Sequence, residues 1–307
     1  MCTAKKLLFL LFALALFSFP LTIPSNAQKL PEIPAEYGVT LYRFNEKSPN
    51  HIFIIGISHR DALTCLNGDN TSRVQAEIYK IGDWLIHNQK VELVLPEGFF
   101  KSPSAKVEKK NVNPPERGNS CASIDMAALE KRLSDNKIYV NAEMLLKENH
   151  PLRLRQIEDE DLYQAVTNHL VKLASCRDDS ADYSRLSSEI EILQEKRAAA
   201  MLQKIPQIVN DEFQQGNIRS KKAIFTIGMF HLHHIITYLN EKGVRIRAPL
   251  LASNGNRRNM AELNLQKENF GVSVIIPRTL AKDQKTLEIN ELDEIVRKWK
   301  SNPLIPD

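Results

Sequence analysis

Two histidines that are far apart in the chain occur in the same local pattern. Gly56-Ile-Ser-His59 and Gly228-Met-Phe-His231 each come directly after a short apolar run. A glycine after a strand permits a sharp turn and a close backbone approach. Ligands of open α/β sheets bind outside the carboxyl ends of the strands. The pattern therefore predicts that His59 and His231 contribute to one shared site.

Glu97 ends the next apolar stretch, 91–97, and we expect it at the same edge of the sheet. Neutral imidazole is a common metal ligand and a good base near neutral pH. Two imidazoles and a carboxylate, with water in an open position, make a catalytic metal site. A single histidine is more often a structural residue. The matching positions of His59, His231 and Glu97 favour a site in which these three residues bind a metal ion.

Four features in this order resemble the motifs of the Tiki/TraB/GumN superfamily, which is related to the haem-uptake ChaN and erythromycin esterase families. They are Gly56-Ile-Ser-His59, Glu97, Arg197 within Glu195-Lys-Arg-Ala-Ala-Ala-Met201, and Gly228-Met-Phe-His231. The resemblance extends from His51 to Pro249. It implies a Tiki-, esterase- and ChaN-like fold whose two strand–GxxH–helix units form a pseudo-duplicated core.

The resemblance implies a metal-dependent hydrolase, most similar to a peptidase, with a peptide or small-molecule substrate. His59, His231 and Glu97 would bind a divalent ion of the Mn, Co or Zn type, or would activate water. Arg197 would stabilise a developing oxyanion or orient Glu97, because a bidentate guanidinium suits either task. The implied catalytic residues are thus His59, Glu97, Arg197 and His231. The alternative for Arg197 is an ordinary surface charge.

Two other classes of protein are compatible with the same residues. One is a ChaN-like haem- or iron-binding uptake protein, in which tyrosine can hold haem. Tyrosines on predicted helices of this chain are Tyr79, Tyr163 and Tyr183. The other class is a catalytically inactive interaction protein. Departures from the family motifs favour it: Ile57 where threonine is usual, Ala198 where asparagine often follows the arginine, and Phe230 where a small residue is common.

Three further polar residues lie near these motifs in the sequence. His234 shares a helical face with His231, and we interpret it as a supporting or structural residue rather than a ligand. Asp61 could orient the His59 imidazole, although an acid in a loop is more often a turn residue. Glu158 belongs to an acidic run that a helix start explains, but it could also line the crevice.

The order of the elements predicts an α/β fold with a central mixed or mostly parallel sheet flanked by helices. Apolar patterning predicts strands at 39–44, 51–55, 91–97, 152–157, 223–228, 244–249 and 271–277. Helical spacing predicts helices at 74–88, 126–133, 142–148, 183–213, 232–243, 260–267 and 291–300. Another helix begins near Leu162 and is capped by Asp159. Pro206 is expected to bend or divide the longest helix.

The first 27 residues have the pattern of a secretory signal peptide. Lys5 and Lys6 precede an apolar stretch at 7–19, and Ser25-Asn-Ala27 is a small-residue cleavage site. The apolar stretch is short for a membrane span; an uncleaved anchor helix is the alternative. We therefore expect an exported protein, periplasmic or secreted, whose residues 28–307 form one domain without a membrane anchor.

Composition argues against several partners. The chain has 307 residues and a net charge of +4, which falls to +2 when Lys5 and Lys6 are removed. So weak a charge argues against a nucleic acid or an anionic membrane surface as partner. The basic segment at about 99–120 is rich in Pro, Ser and Asn and predicts a flexible loop.

The cysteines that remain after cleavage are Cys65, Cys121 and Cys176. An exported compartment permits disulfides, but three cysteines can form at most one within the chain. Their spacing matches neither a zinc site nor a redox motif. The sequence does not select a pairing among them.

Overall fold

The computed structural model describes Leu30 and residues 32–58, 70–100, 125–134, 141–176, 180–244 and 261–300, with side chains to residue 298. Several predicted features lie outside these residues: the signal peptide, His59, Asp61, Cys65, Cys121, positions 101–120 of the loop, and strand positions 245–249. Cys176 is described and forms no disulfide there. Its thiol donates to the backbone oxygen of Lys172 at 3.4 Å.

Eight strands form two sheets within the described residues. They are β1 Gly38–Phe44, β2 Asn50–Ile57, β3 Leu93–Pro96, β4 Arg153–Leu154, β5 Lys222–Gly228, β6 Gly243–Val244, β7 Ala261–Glu262 and β8 Phe270–Pro277. The main sheet has the order β1-β8-β2-β5-β3-β4, and β6 pairs with β7 separately. In the main sheet β1 is antiparallel to β8, and the other neighbours are parallel. The predicted mostly parallel α/β fold is confirmed.

Helices flank this sheet and complete one hydrophobic core. They are α1 Thr71–Gln89, α2 Met126–Leu133, α3 Ala142–Asn149, α4 Glu160–Ala174, α5 Ala181–Gln214, α6 Leu232–Glu241, α7 Asn264–Lys267, α8 Arg278–Lys282, α9 Gln284–Ile289 and α10 Asp293–Lys300. As predicted, Asp159 caps α4: its Oδ1 accepts from the backbone N–H of Leu162 at 3.2 Å. Within the described ranges, no helix combines the length and hydrophobicity that a membrane crossing requires.

The central strands are buried on both faces, which explains their uninterrupted apolar sequences. Ile52, Ile54 and Ile55 in β2 are fully buried, and Phe225 in β5 is fully buried beside them. A parallel strand covered by helices on both faces needs apolar side chains at successive positions rather than at alternate ones. These strands therefore fix the sheet edge from which the candidate site residues emerge.

The two predicted glycine–histidine units lie next to each other in the sheet. β2 and β5 are parallel, and Ile57 at the end of β2 pairs with Gly228 at the end of β5. A Cβ on Gly56 would lie 2.6 Å from Cδ1 of Leu232 and 2.8 Å from Sδ of Met229. A larger residue at position 56 would therefore force the Leu232 and Met229 side chains to move away from β2.

Two strand and helix predictions are wrong in extent. The stretch 152–157 forms only the two-residue strand Arg153–Leu154, because the chain then leaves the sheet edge to place Glu158 near Arg197. The longest helix is not divided, because α5 continues without a break through Pro206, whereas the bend expected there stays a prediction. Pro206 costs the helix a hydrogen bond, but the residues around it are buried against the core, and such packing supplies most of a helix's stability.

The region after residue 260 also differs from the sequence prediction. Ala261–Glu262 pairs with β6 instead of starting a helix, and only Asn264–Lys267 is helical. α8 and α9 were not predicted, because helices of five and six residues are too short to show a helical repeat. None of these differences changes the order of the strands that carry the candidate site.

Candidate active site

Glu97 and His231 meet at the carboxyl edge of the parallel strands. Glu97 follows β3, and its backbone N–H donates to the backbone oxygen of Thr226 at 2.9 Å. His231 ends the short 3-10 turn Met229–His231 that follows β5. Nε2 of His231 lies 3.4 Å from Oε1 of Glu97. The other carboxylate oxygen, Oε2, accepts from the backbone N–H of Gly228 at 2.6 Å. The structure thus brings two of the predicted site residues into contact.

Arg197 joins this pair from α5. Its Nη2 donates to Oε1 of Glu97 at 3.1 Å, and its Nη1 donates to Oε1 of Gln194 at 2.6 Å. The Arg197 side chain is 5% exposed. The interpretation of Arg197 as an ordinary surface charge is therefore wrong. Since its guanidinium is directed at a carboxylate, orientation of Glu97 is the role that this geometry fits.

Glu158 is the principal partner of Arg197. Nε of Arg197 donates to Oε1 of Glu158 at 3.0 Å and Nη2 donates to Oε2 at 2.9 Å, a bidentate arrangement. Oε2 also accepts from the backbone N–H of Gly98 at 3.2 Å. Gly98 has a φ of +71°, a left-handed conformation that favours glycine. Glu158 is therefore a buried partner of Arg197, whereas the acids at 159–161 of the same run lie at the start of α4 as predicted.

Burial and charge act against each other at Arg197. Burial alone would lower the pKa of Arg197, but the hydrogen bonds and charge of Glu158, and then of Glu97, outweigh it and raise the pKa above its ordinary value. Arg197 is accordingly a fixed positive charge between two carboxylates. When both carboxylates are ionised, the group carries a net negative charge that attracts a cation.

His231 is almost completely enclosed. Its side chain is 3% exposed, and Nδ1 has no hydrogen-bond partner among the described residues. The next residue in the turn is different: Phe230 is 44% exposed, and its ring centroid lies 5.8 Å from that of His231 in an edge-on arrangement. The turn therefore buries the histidine and presents an aromatic ring to solvent beside it.

The first histidine of the predicted pair, His59, lies outside the described residues, and so does Asp61. The described chain reaches Ser58, whose backbone oxygen accepts from Nε2 of Gln75 on α1 at 3.2 Å. The parallel pairing of Ile57 with Gly228 shows that β2 ends beside β5. Contact between His59 and Glu97 or His231 remains a prediction.

The tyrosines considered as haem ligands have different surroundings. Tyr79 is buried, and its hydroxyl accepts from Nδ2 of Asn149 at 2.9 Å. Tyr163 is half-exposed; Cζ of Arg197 lies 5.2 Å from its ring centroid, and Phe100 packs edge-on against it. Tyr183 is half-buried in the first turn of α5. Tyr163 thus forms an aromatic wall beside the site.

A cleft of about 370 Å³ opens next to His231, between α5, α6 and the turn after α9. Its lining includes four acidic residues, Glu191, Glu195, Glu241 and Glu291. Phe230 and the exposed Ile289 give it apolar surface, and His234 also lines it. Glu97 and His231 are not among the described lining residues. Phe230 borders both the cleft and His231, so the cleft is a neighbour of the candidate site rather than the site itself.

A different group of residues that could hold a metal ion lies on α1 and after α3. Asp83, His87 and His150 each offer one potential ligand atom, and these atoms lie within 4.8 Å of one another. Nε2 of His150 is 2.9 Å from Oδ1 of Asp83. The chain therefore contains a possible metal-binding cluster, but its residues differ from the predicted set.

Glu158 was predicted only as an alternative member of the site, and Gln194, Asp83, His87 and His150 were not predicted. Asp83 and His87 are four residues apart on a predicted helix, a spacing that places two potential ligands on one face. His150 had no such signal, because it reaches the pair only through the packing of α3 on α1.

Comparison of the chain with protein-family models, with curated proteins and with solved structures found no match in any of the three. The resemblance to the Tiki/TraB/GumN superfamily consequently rests on the motifs themselves.

Proposed function

We propose that the protein is an exported metal-dependent hydrolase that cleaves peptides, with its site at Glu97, His231, Arg197 and His59. The observation that carries this proposal is the contact of the buried His231 with Glu97 at 3.4 Å, at the sheet edge where Arg197 fixes the carboxylate. His59 would supply the second imidazole. Its place in the proposal is supported by the end of β2, where Ile57 pairs with Gly228.

The donor atoms at this edge suit a divalent cation. Two ligand atoms about 2.1 Å from one tetrahedral ion lie roughly 3.4 Å apart, which matches the separation of His231 Nε2 from Glu97 Oε1. The buried Nδ1 of His231 has no hydrogen-bond partner among the described residues, and an unsatisfied buried polar atom is costly. An ion of the Mn, Co or Zn type would be held by His59, His231 and Glu97.

A bound divalent cation supplies a Lewis acid and a water molecule of lowered pKa. Oε1 of Glu97 faces His231 while Oε2 is held by the N–H of Gly228, so the carboxylate would either give Oε1 to the ion or act as the general base that takes a proton from water. Proton transfer to a positioned carboxylate contributes about 10²- to 10⁴-fold to a hydrolysis rate. Arg197 acts through Glu97: its hydrogen bond keeps the carboxylate turned towards His231.

The neighbouring cleft indicates the kind of substrate. Its carboxylates favour a positively charged group, and Phe230 with Ile289 offers apolar surface to the same ligand. A peptide with basic and apolar side chains has both properties. The ring of Phe230 lies edge-on to that of His231, so in this proposal the bound peptide would pass Phe230 to reach the candidate site.

The test uses the full chain, stripped of metal by a chelator and then supplied with Mn²⁺, Co²⁺ or Zn²⁺. Hydrolysis of a mixed peptide library is followed by mass spectrometry. We expect cleavage only with added metal, and a loss of at least about 100-fold in His231→Gln. The control is His169→Gln, because His169 lies on α4 and pairs with the exposed Glu189, away from Glu97.

Equal cleavage by His231→Gln and the wild type would remove the proposal, as would full activity in the presence of the chelator. A thermal unfolding curve for each variant separates loss of chemistry from loss of fold. A Soret band on addition of haemin, without peptide cleavage, would instead support the haem-binding alternative.

A further inference from the structure

We propose that Asp83, His87 and His150 form a second metal site, which binds a zinc-type divalent cation and ties the end of α3 to α1. One potential ligand atom from each residue lies within 4.8 Å of the others. Ligand atoms of a tetrahedral zinc ion are roughly 3.4 Å apart. To close the cluster on an ion, the His87 ring would turn to present Nε2, and the ligand atoms would move together by roughly 1 Å.

His150 is the observation that points to a ligand. Its side chain is 5% exposed and directed at Asp83, with Nε2 2.9 Å from Oδ1. Despite this short distance, Nε2 makes no hydrogen bond among the described residues, so the contact lacks hydrogen-bond alignment. A buried nitrogen that faces a carboxylate without bonding to it is unfavourable by itself. A cation between the two atoms would satisfy both.

His87 completes the set from one turn further along α1. Its Nδ1 lies 2.8 Å from the backbone oxygen of Asp83 and 3.4 Å from Oδ1 of the same residue. A carbonyl oxygen can only accept, so the 2.8 Å contact needs a proton on Nδ1, and Nε2 would bind an ion once the ring turns. Donation of the second ring N–H to a backbone carbonyl is typical of zinc-binding histidines. The His87 side chain is 47% exposed, so its ring is free to turn towards an ion.

The electrostatic setting also favours a cation. Asp83 and His87 lie in the last two turns of α1, and His150 directly follows α3. The carboxyl end of a helix carries a partial negative charge, so two such ends and one carboxylate meet at this place. Two imidazoles and one carboxylate, with a fourth position open to solvent beside His87, match the ligands that zinc accepts.

This cluster is separate from the candidate active site. β2 and β3 run in the same direction, because each is parallel to β5. α1 lies between them in the chain, so it runs from the carboxyl edge of the sheet back to the amino edge, where β3 begins. The end of α1 therefore lies at the amino edge of the strands, whereas Glu97 and His231 lie at the carboxyl edge. The second metal site does not depend on the proposed hydrolase activity. The role of this site is to hold α3 on α1.

The experiment measures zinc binding by the full chain, free of any affinity tag, in a Glu97→Gln/His231→Gln background whose thermal unfolding curve shows that it is folded. This background removes ligands of the other proposed site. Equilibrium dialysis followed by elemental analysis should give one zinc per chain. Adding His87→Ala should weaken binding by at least about 10- to 100-fold. Co²⁺ should give visible absorption bands with the intensity that tetrahedral coordination produces. His87→Ala should abolish these bands.

Thermal unfolding supplies a second measurement. Saturating zinc should raise the midpoint by roughly 5 °C in the background chain and leave it unchanged with His87→Ala. His169→Ala is a matched control, because Nδ1 of His169 bonds to the backbone oxygen of Ala165 at 2.8 Å and Nε2 faces Glu189. His169→Ala should bind zinc as the background chain does.

Since His150 is buried, His150→Ala is not used; the half-exposed His87 can be replaced with little effect on the fold. The proposal is overturned if the background chain binds no zinc, or if His87→Ala binds it as tightly. It is also overturned if zinc raises the unfolding midpoint of both chains equally.

Discussion

The guanidinium of Arg197 bridges two carboxylates, and its shorter contacts are with Glu158 rather than with Glu97. Nη2 lies 2.9 Å from Oε2 of Glu158 and 3.1 Å from Oε1 of Glu97. The side chain of Glu158 is fully buried, and that of Glu97 is 9% exposed. Arg197 therefore has two effects: it compensates a buried charge, and it holds the carboxylate that faces His231.

The first prediction concerns stability. Arg197→Met should lower the free energy of unfolding by about 3–5 kcal/mol, because it leaves the buried negative charge of Glu158 without a compensating positive charge. The measurement is denaturant unfolding at neutral pH. The double variant Arg197→Met/Glu158→Gln should recover part of the loss, since it removes the uncompensated charge as well.

Arg185 on the same helix provides the control. It also pairs with two carboxylates, Asp182 and Glu189, but its side chain is 57% exposed. Exposed ion pairs contribute little to stability, so Arg185→Met should have little effect. Equal losses for the two variants would show that burial of Arg197 does not determine its contribution.

The second prediction concerns catalysis. Glu97→Gln should reduce metal-dependent peptide cleavage by about 10²- to 10⁴-fold, because an amide cannot accept the proton that a carboxylate accepts. The amide oxygen can still accept from the N–H of Gly228, but the amide NH2 then faces Nη2 of Arg197 and cannot accept from it, so a thermal unfolding curve of the variant separates loss of chemistry from loss of fold. Steady-state kinetics should show the loss mainly in kcat.

Glu92 is the matched control for Glu97. It precedes β3, whereas Glu97 follows it, and it too binds an arginine: Nε of Arg219 lies 2.6 Å from its Oε1. Glu92→Gln should cleave peptides at the wild-type rate. A comparable loss of activity in both variants would assign the effect to distortion of β3 rather than to the chemistry of Glu97.

Much of this arrangement could be predicted because it depends on strand ends. The continuous apolar runs of β2 and β5 are visible in the sequence. The Gly-x-x-His pattern that follows each run marks where the strand ends. Glu97 could be placed for the same reason. Parallel pairing of β3 with β5 then brings Glu97 to the position beside Gly228 that the pattern predicts.

Glu158 and His150 could not be placed in this way. Glu158 meets Arg197 across 39 residues, at a point where the chain leaves the edge strand without a periodic signal. His150 meets Asp83 only because α3 packs on α1. In both cases the partner is selected by tertiary packing of two elements, which local spacing does not encode.

The third prediction concerns substrate selection. The double variant Glu191→Gln/Glu241→Gln should raise KM for peptides with basic side chains by about 3- to 10-fold and leave kcat unchanged, because it removes negative charge from the cleft but not from the catalytic residues. The increase should be smaller at high salt, where such charges are screened. Glu189→Gln on the same helix is the control, because Glu189 pairs with Arg185 and does not line the cleft.

Uniform increases in KM for basic, neutral and acidic peptides would contradict the proposed role of the cleft charges. A fall in kcat would instead indicate that α5 had moved Arg197, which lies on the same helix. Kinetics with three peptides that differ only in one side chain, measured at two salt concentrations, distinguish these outcomes.

The fourth prediction concerns the dependence of stability on pH, through His51 in β2. His51 is fully buried, and its Nε2 lies 2.9 Å from Oγ of Ser273. Burial, followed by the positive charges of Lys222 and Arg43, lowers the pKa of His51 from 6.5 to about 3. The folded protein therefore keeps this imidazole neutral at pH values at which the unfolded chain protonates it.

A folded-state pKa below the unfolded value means that the unfolded chain binds more protons, so stability falls as pH decreases. The contribution of His51 should be complete above pH 6.5 and should be lost progressively between 6.5 and about 3. At pH 4 the loss amounts to roughly 3 kcal/mol. Urea unfolding of the wild type and of His51→Gln at several pH values measures it.

His51→Gln keeps a side chain that can bond to Ser273 but cannot titrate. At pH 8 the two proteins differ only through packing, and this difference is the baseline. Below pH 6.5 the wild type should lose stability faster than the variant, so the gap between the two curves should shift by roughly 3 kcal/mol towards the variant at pH 4. Other groups titrate in both proteins and cancel in the comparison. Parallel curves from pH 8 to pH 4 would mean that His51 is protonated in the folded state as readily as in the unfolded chain, which its burial beside Lys222 and Arg43 opposes.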